Sequence, residues 1–186
     1  VTDPPEDTLN VKIWMTDPAR NIFFTEQRSI TDTGRVSGET IVIHKNQTYQ
    51  VMDGFGYSLT GGSALHLFNM SSAARKRILK ELFETTDKNI GVSYLRVSIG
   101  ASDLDPNVFS YNDLPSGQTD PEMLQFSLEH DRQYLIPVLK EILAINPEIK
   151  IMGSPWSAPV WMKNNNNSIG GSLIPQYYNS YAKYFV

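Results

Sequence analysis

Arg96, Asp103, Trp156 and Trp161 are the residues whose types and spacing point most directly to chemistry. Each stands on, or a few residues beyond, a run of strand-like composition: Arg96 within 92–99, Asp103 shortly after it, and both tryptophans after 149–154. Carboxylates and guanidinium groups bond to hydroxyls, and indole faces stack on the C–H patches of sugar rings. Facing one cleft, such a set suits a neutral, polyhydroxylated ligand. Each member also has a plainer alternative. Arg96 suits a buried ion pair, Asp103 a loop cap, and the tryptophans core packing, Trp161 more so than Trp156. Gly54, Gly56, Gly61 and Gly62 suit backbone turns. Other chemistry is weakly signalled. His44, His66 and His130 are separated by 22 and 64 positions, without metal-ligand spacing. No serine occupies a Gly-x-Ser-x-Gly elbow. Asn46-Gln47-Thr48, Asn69-Met70-Ser71 and Asn166-Asn167-Ser168 match the glycosylation sequon, which matters only in a eukaryotic secretory route.

The elements that must position these residues alternate in type. A β-rich leader comes first: residues 9–16 alternate as a half-buried strand, 21–27 form a second run, and 40–43 with 48–52 bracket a turn at Lys45-Asn46. Residues 53–60 form a glycine-interrupted strand. Residues 60–70 are expected to be a polar loop. A helix capped by Ser71 or Ser72 then runs to about Glu84, with Ala74, Ile78, Leu79, Leu82 and Phe83 on one face. A strand over 92–99 is followed by a long polar connection, 100–130, of the length usually tied to function. Residues 131–145 form a helix that Pro137 either starts or kinks, and 149–154 a buried strand. Another polar loop, 155–174, precedes a final helix begun by Pro175. This β, α, β, α, β, α order implies parallel strands with crossover connections, as in a doubly wound sheet or a (β/α) barrel. Gly54-Phe55-Gly56 lacks the third glycine of a dinucleotide fingerprint, which weakens a nucleotide reading. In barrels the chemistry sits at the C-terminal strand ends, where the polar loops 60–70, 100–130 and 155–174 fall here.

Composition limits the rest. The 186 residues carry 16 basic and 20 acidic side chains, and this mild acidity argues against a nucleic-acid backbone binder. Cysteine is absent, which excludes disulfides, thiolate nucleophiles and cysteine metal sites. No run reaches roughly 18 apolar residues, the length of a membrane-spanning helix. The chain starts without methionine or an apolar leader run and ends on Tyr181-Ala182-Lys183-Tyr184-Phe185-Val186, a run that suits the middle of a helix. A truncated C-terminus is therefore the expectation.

Four runs in order carry a family resemblance: Asp53-Gly54-Phe55-Gly56-Tyr57-Ser58-Leu59-Thr60, Tyr94-Leu95-Arg96-Val97-Ser98, Ala101-Ser102-Asp103-Leu104, and Gly153-Ser154-Pro155-Trp156-Ser157-Ala158-Pro159-Val160-Trp161-Met162-Lys163. Together they resemble glycoside hydrolase family 30, the family of glucosylceramidases and microbial β-1,6-glucanases. Thr60–Leu65 and Leu135–Leu139 resemble its bacterial glucanase or glucosylceramidase-like members. The resemblance covers nearly the whole chain from about residue 9.

It implies an α/β fold, with residues 51–186 as the first three βα units of a (β/α)8 TIM barrel. Residues 1–50 would be a leader belonging to an accessory β-sandwich. It implies hydrolysis of β-glucosidic bonds with retention, by double displacement between two glutamates about 5–5.5 Å apart and without a cofactor or metal. The family's acid/base follows the fourth strand in an Asn-Glu-Pro motif, and its nucleophile follows the seventh. This sequence contains no Asn-Glu-Pro, and none of its nine glutamates lies at the C-terminal end of an expected barrel strand. Both catalytic glutamates are thus expected after Val186, and the remaining barrel segment is needed in cis or in trans. What carries over is substrate binding. Asp103 matches the aspartate that bonds glucosyl hydroxyls at subsite −1, and Trp156 the tryptophan of that subsite. Trp161 is grouped with them. Arg96 matches the arginine that supports the catalytic carboxylates. The implied ligand is a β-glucoside or β-glucan, and family habit implies a secreted or periplasmic protein. The competing reading is a noncatalytic β-glucan-binding or partner-assembled barrel fragment.

Overall fold

The computed structural model describes residues 10–28, 30–31, 38–39, 42, 44, 46–86 and 88–186. The chain divides into two compact units, Val1–Tyr49 and Gln50–Val186. The first holds two antiparallel pairs. β1 (Asn10–Val11) pairs with β4 (Ile30–Thr31), and β2 (Trp14–Asp17) pairs with β3 (Ile22–Glu26). Between β2 and β3 the chain turns through Pro18–Arg20, a short 3-10 helix closed by Asn21 at φ 55°. Asn tolerates this left-handed conformation better than most residues. Of the expected hairpin around Lys45-Asn46, residues 40, 41, 43 and 45 lie outside the described residues. The 48–52 arm is not a strand.

The second unit is built on a three-stranded parallel sheet in the order β5 (Gly56–Leu59), β6 (Tyr94–Ile99), β7 (Lys150–Pro155). Between β5 and β6 lie α1 (Gly61–Asn69) and α2 (Ser72–Phe83). Between β6 and β7 lie α3 (Glu129–Gln133) and α4 (Leu135–Ile145). A last helix, α5 (Tyr178–Lys183), follows a 3-10 turn at Pro175–Tyr177. Both α1 and α2 contact α4. One core joins them to the sheet through Leu59, Leu95, Leu79, Phe83, Val138 and Ile142. Phe83, Leu79, Leu95, Val138 and Ile142 are fully buried, each stabilising the fold by about 1.5–3 kcal/mol relative to exposure. Sequential strand order with these helices on one face is the winding of a barrel. A doubly wound sheet carries helices on both faces.

Three further expectations need correction. The strand over 149–154 forms as β7 but is not buried: at the edge of the three-stranded sheet, it is exposed at every residue but the half-buried Ser154. Residues 60–70 are not a loop but α1. Thr60 caps it, its Oγ accepting the Ser63 N–H at 3.1 Å. Gly61 and Gly62, poor helix formers in the first turn, disguise it. The helix over 131–145 is two helices broken at Tyr134, whose φ/ψ of −146°/−41° is not helical. The break falls just before Pro137, whose ring crowds the carbonyl four residues back and whose missing N–H costs nothing in the first turn of α4.

The 100–130 connection holds no regular structure before α3, yet it is ordered by local motifs and a second core. Two Ser-x-x-Asp turns repeat: Asp105 accepts from Ser102, and Asp113 from Ser110, by both backbone N–H and hydroxyl. Phe109, Tyr111 and Tyr184 pack together, Tyr111 and Tyr184 stacking at 5.6 Å. The Tyr184 hydroxyl accepts the Tyr111 N–H at 2.9 Å, tying this connection to the end of α5. The Tyr111 hydroxyl donates to Asp131, a buried carboxylate.

Candidate functional site

Strand register sets the site. Ser58, Arg96 and Met152 are directly in register, so their side chains share the sheet face opposite the helices, with Ser98 and Ser154 the next pair along it. Arg96, on the central strand, spans its neighbours. Its Nη2 donates to Ser154 Oγ at 2.9 Å and its Nη1 to Ser58 Oγ at 3.4 Å. No ion pair involves Arg96 among the described residues. The buried ion-pair alternative is therefore not what these residues form. A guanidinium with five donors and two hydroxyl partners retains capacity for an anion. A hollow of about 350 Å³ lies beside it, lined by Gly54, Phe55, Gly56, Tyr57, Ser58 and Tyr94.

The C-terminal ends of β6 and β7 are in register at Ile99 and Pro155. Asp103 and Trp156 stand just beyond them and meet, the Trp156 indole N–H donating to Asp103 Oδ1 at 2.9 Å. That bond fixes the indole's edge and leaves Asp103 Oδ2 for another donor. The loop-cap role falls to Asp105 instead, which holds Ser102. Trp156 is only partly buried, packing against the second core.

Trp161 does not join them. It is 7% exposed, its indole N–H donates to the Asn112 carbonyl (3.1 Å) and Oδ1 (2.9 Å), and Tyr177 packs edge-on at 4.9 Å. With its polar edge used and its faces packed, it shapes the wall of the 155–174 loop rather than presenting a stacking face. Lys163 is another member that the sequence did not flag. It is 8% exposed, and its Nζ donates to the Ser168 carbonyl at 2.8 Å and Ser157 Oγ at 3.3 Å, cross-linking the loop. Burial pulls its pKa below the ordinary lysine value. Asp105 and Tyr134 were also missed. The Tyr134 hydroxyl donates to Asp105 Oδ1 at 3.2 Å. Its own pKa is pushed up to about 12, first by burial and then by the Asp105 charge. The signal for Asp105 was the Ser-x-x-Asp spacing with Ser102, which recurs at Ser110 and Asp113.

Among the described residues no group of three or more His, Cys, Asp or Glu is placed to hold a metal ion. Nor is any helix long and apolar enough to cross a membrane. Parallel strands with helices on one face, and polar side chains gathered where the strands end, define an α/β unit of barrel type. The sequence matches the glycosyl hydrolase family 30 TIM-barrel domain over residues 52–186, and the chain belongs to that family. It is 35% identical over 143 residues to the endo-1,6-β-D-glucanase of Neurospora crassa, covering 74% of this chain and 29% of that protein. It is 30% identical over 159 residues to the lysosomal acid glucosylceramidase of Mus musculus, covering 81% and 30%. Among solved structures, an endo-β1,6-glucanase superposes with a TM-score of 0.74 at 34% identity, covering 95% of this chain and 39% of that one. The chain spans about 30% of the length of the curated relatives it matches.

Proposed function

We propose that this chain is the N-terminal portion of a retaining β-glycosidase acting on β-glucosidic bonds, of glucosylceramidase or β-1,6-glucanase type. Residues 51–186 supply the first three βα units of its barrel, and residues 1–50 supply leader strands of an accessory β-sandwich. The carrying observation is the Asp103–Trp156 pair at the C-terminal strand ends, on the same sheet as Arg96, whose side-chain partners among the described residues are the Ser58 and Ser154 hydroxyls. Asp103 accepts glucosyl hydroxyls at subsite −1, and Trp156 stacks on the sugar. Arg96 holds a catalytic carboxylate as an anion and orients it. The acid/base and nucleophile glutamates come from sequence after Val186. Reaction proceeds by attack of the nucleophile on the anomeric carbon while the acid protonates the leaving oxygen. Water then hydrolyses the glucosyl ester. The protein acts outside the cytoplasm, by family habit.

The test uses the full-length protein. Proton NMR of β-glucoside hydrolysis is expected to show the β-anomer as first product. Asp103→Ala and Trp156→Ala are each expected to lower kcat/KM by at least about 10-fold, as loss of a sugar contact that strengthens in the transition state requires. The 186-residue chain alone is expected to be inactive. Turnover by this chain alone, abolished by changing one of its own glutamates, would overturn the proposal. So would first release of the α-anomer.

A further inference from the structure

Asp105 makes no contact with the sugar in this reading, yet it organises the turn that carries Asp103. Its Oδ2 accepts from the Ser102 backbone N–H (2.7 Å) and from Ser102 Oγ (2.6 Å). Its Oδ1 accepts from the Tyr134 hydroxyl (3.2 Å), at the break between α3 and α4. Ser102 Oγ in turn accepts the Leu104 N–H (3.3 Å), and the Asp105 N–H donates to the Ser102 carbonyl (3.1 Å). The backbone is thus tied down on both sides of Asp103 through one carboxylate. The turn is also seated against the start of α1. A Cβ on Gly61 would lie 1.9 Å from Asp105 Oδ1, and one on Gly62 would lie 1.9 Å from the Leu104 carbonyl oxygen. Both supports, α1 and Tyr134, belong to the main core.

We propose that Asp105 is a positioning residue. It aims Asp103, and through the Asp103–Trp156 hydrogen bond the indole too, at the sugar of subsite −1. The inference rests on the glycosidase reading above. The residue type follows from the donors present. Three donors converge on two oxygens, and an ionised carboxylate accepts all of them without offering a donor of its own. Asparagine turns an NH₂ toward one of the three. Alanine frees the turn.

A double-mutant cycle in the full-length protein, read as kcat/KM on an aryl β-glucoside, tests this. Asp105→Ala alone is expected to lower kcat/KM roughly 10- to 100-fold, the scale of an ångström-level misplacement of a contacting group. In an Asp103→Ala background the same change is expected to cost less than about threefold, because the residue it aims is gone. Asp105→Asn is expected to fall between alanine and the parent. If Asp105→Ala does not fold, the cycle with Asp105→Asn carries the same reading. An equal loss in both backgrounds would show a general structural role and overturn the inference, as would no loss in either. These outcomes leave the glycosidase reading intact. Absence of hydrolysis by the parent protein, or an Asp103→Ala variant as active as the parent, would instead overturn that reading, and the inference with it.

Discussion

Gly62→Ala offers a direct measure of how tightly the turn after β6 is seated on α1. Gly62 is the second residue of that helix and is buried. A Cβ there would lie 1.9 Å from the Leu104 carbonyl oxygen, 2.9 Å from its carbonyl carbon and 3.3 Å from its Cβ. The first distance is about 1.5 Å short of ordinary contact between non-bonded heavy atoms. The atoms struck are backbone, so no rotamer change relieves the clash, and either the turn or the helix start must move. Opposing this, alanine is favoured over glycine in a helix by up to about 1 kcal/mol. Overpacking of a rigid interior typically costs about 1–3 kcal/mol, and displaced backbone puts this case at the upper end. The expected net effect is destabilisation by about 1–2 kcal/mol. Urea unfolding of the full-length protein measures it, with the barrel transition monitored for the parent and the variant. The same displacement shifts Asp103, so under the proposed function β-glucoside affinity is expected to fall as well. A midpoint that rises, with affinity unchanged, would refute the seating of Leu104 on Gly62.

Other expectations follow from the same packing. Arg75 on α2 shares its Nε–H between the two carboxylate oxygens of Glu141 on α4 (3.0 and 3.1 Å), its Nη1 donates to the Phe68 and Met70 carbonyls, and its guanidinium lies 5.7 Å from the Phe68 ring centroid. Arg75→Lys keeps the charge but replaces these separate donors with one compact ammonium that cannot serve Glu141 and both carbonyls together, and thermal melting is expected to show a loss of about 1–2 kcal/mol. Burial lifts the pKa of Asp131 above its ordinary value of 3.8, while the Tyr111 hydrogen bond opposes the lift. Asp105, His130, Tyr111, Tyr134 and Tyr184 are titratable groups around it. A raised carboxyl contributes stability that is fully present below the unfolded value and lost as pH rises through the folded one. Asp131→Asn, which cannot ionise, is therefore expected to gain stability relative to the parent as pH rises from about 4 to 7. Denaturant midpoints across that range check it, and a constant or falling difference would refute it.

The central strand was legible because its composition left little choice. Residues 92–99 are β-branched or apolar enough to cross a core, and the structure places β6 at Tyr94–Ile99, the centre of the sheet. Ser71 and the apolar spacing after it marked α2 almost to the residue. What failed was α1. Its cap, Thr60, is a good signal, but two glycines follow it, and their low helix propensity reads as a loop. The reason lies outside the helix. Gly61 and Gly62 are small because Asp105 and Leu104 occupy the space their side chains would fill. A contact with residues some forty positions downstream cannot be seen in a local window. The same long-range contact made the glycines look like turn residues when they are a packing surface.

The site divided along a similar line. Arg96, Asp103 and Trp156 stood out because each is an unusual residue at a strand or its C-terminal end. Trp161, in the same run, already leaned further toward core packing than Trp156, but sequence alone did not show what would hold it there. The separation comes from the partners of the N–H. Trp156 gives its proton to Asp103 at the edge of the sheet, so its ring remains beside the strand ends. Trp161 gives its proton to Asn112, which also donates its Nδ2 to Asp120, a carboxylate buried in the 100–130 connection. Burial works against Asp120's charge, yet the Gln125 N–H, Asn112 and the Leu124 N–H together hold it below the ordinary aspartate value. Trp161 therefore clamps the 155–174 loop to the 100–130 connection. A truncation there is expected to loosen both loops, where Trp156→Ala removes a single face. Hydrogen exchange separates the two cases: Trp161→Phe, which deletes only the N–H, should raise exchange across residues 110–126, and Trp156→Phe should not. Equal protection in both variants would place the clamp elsewhere.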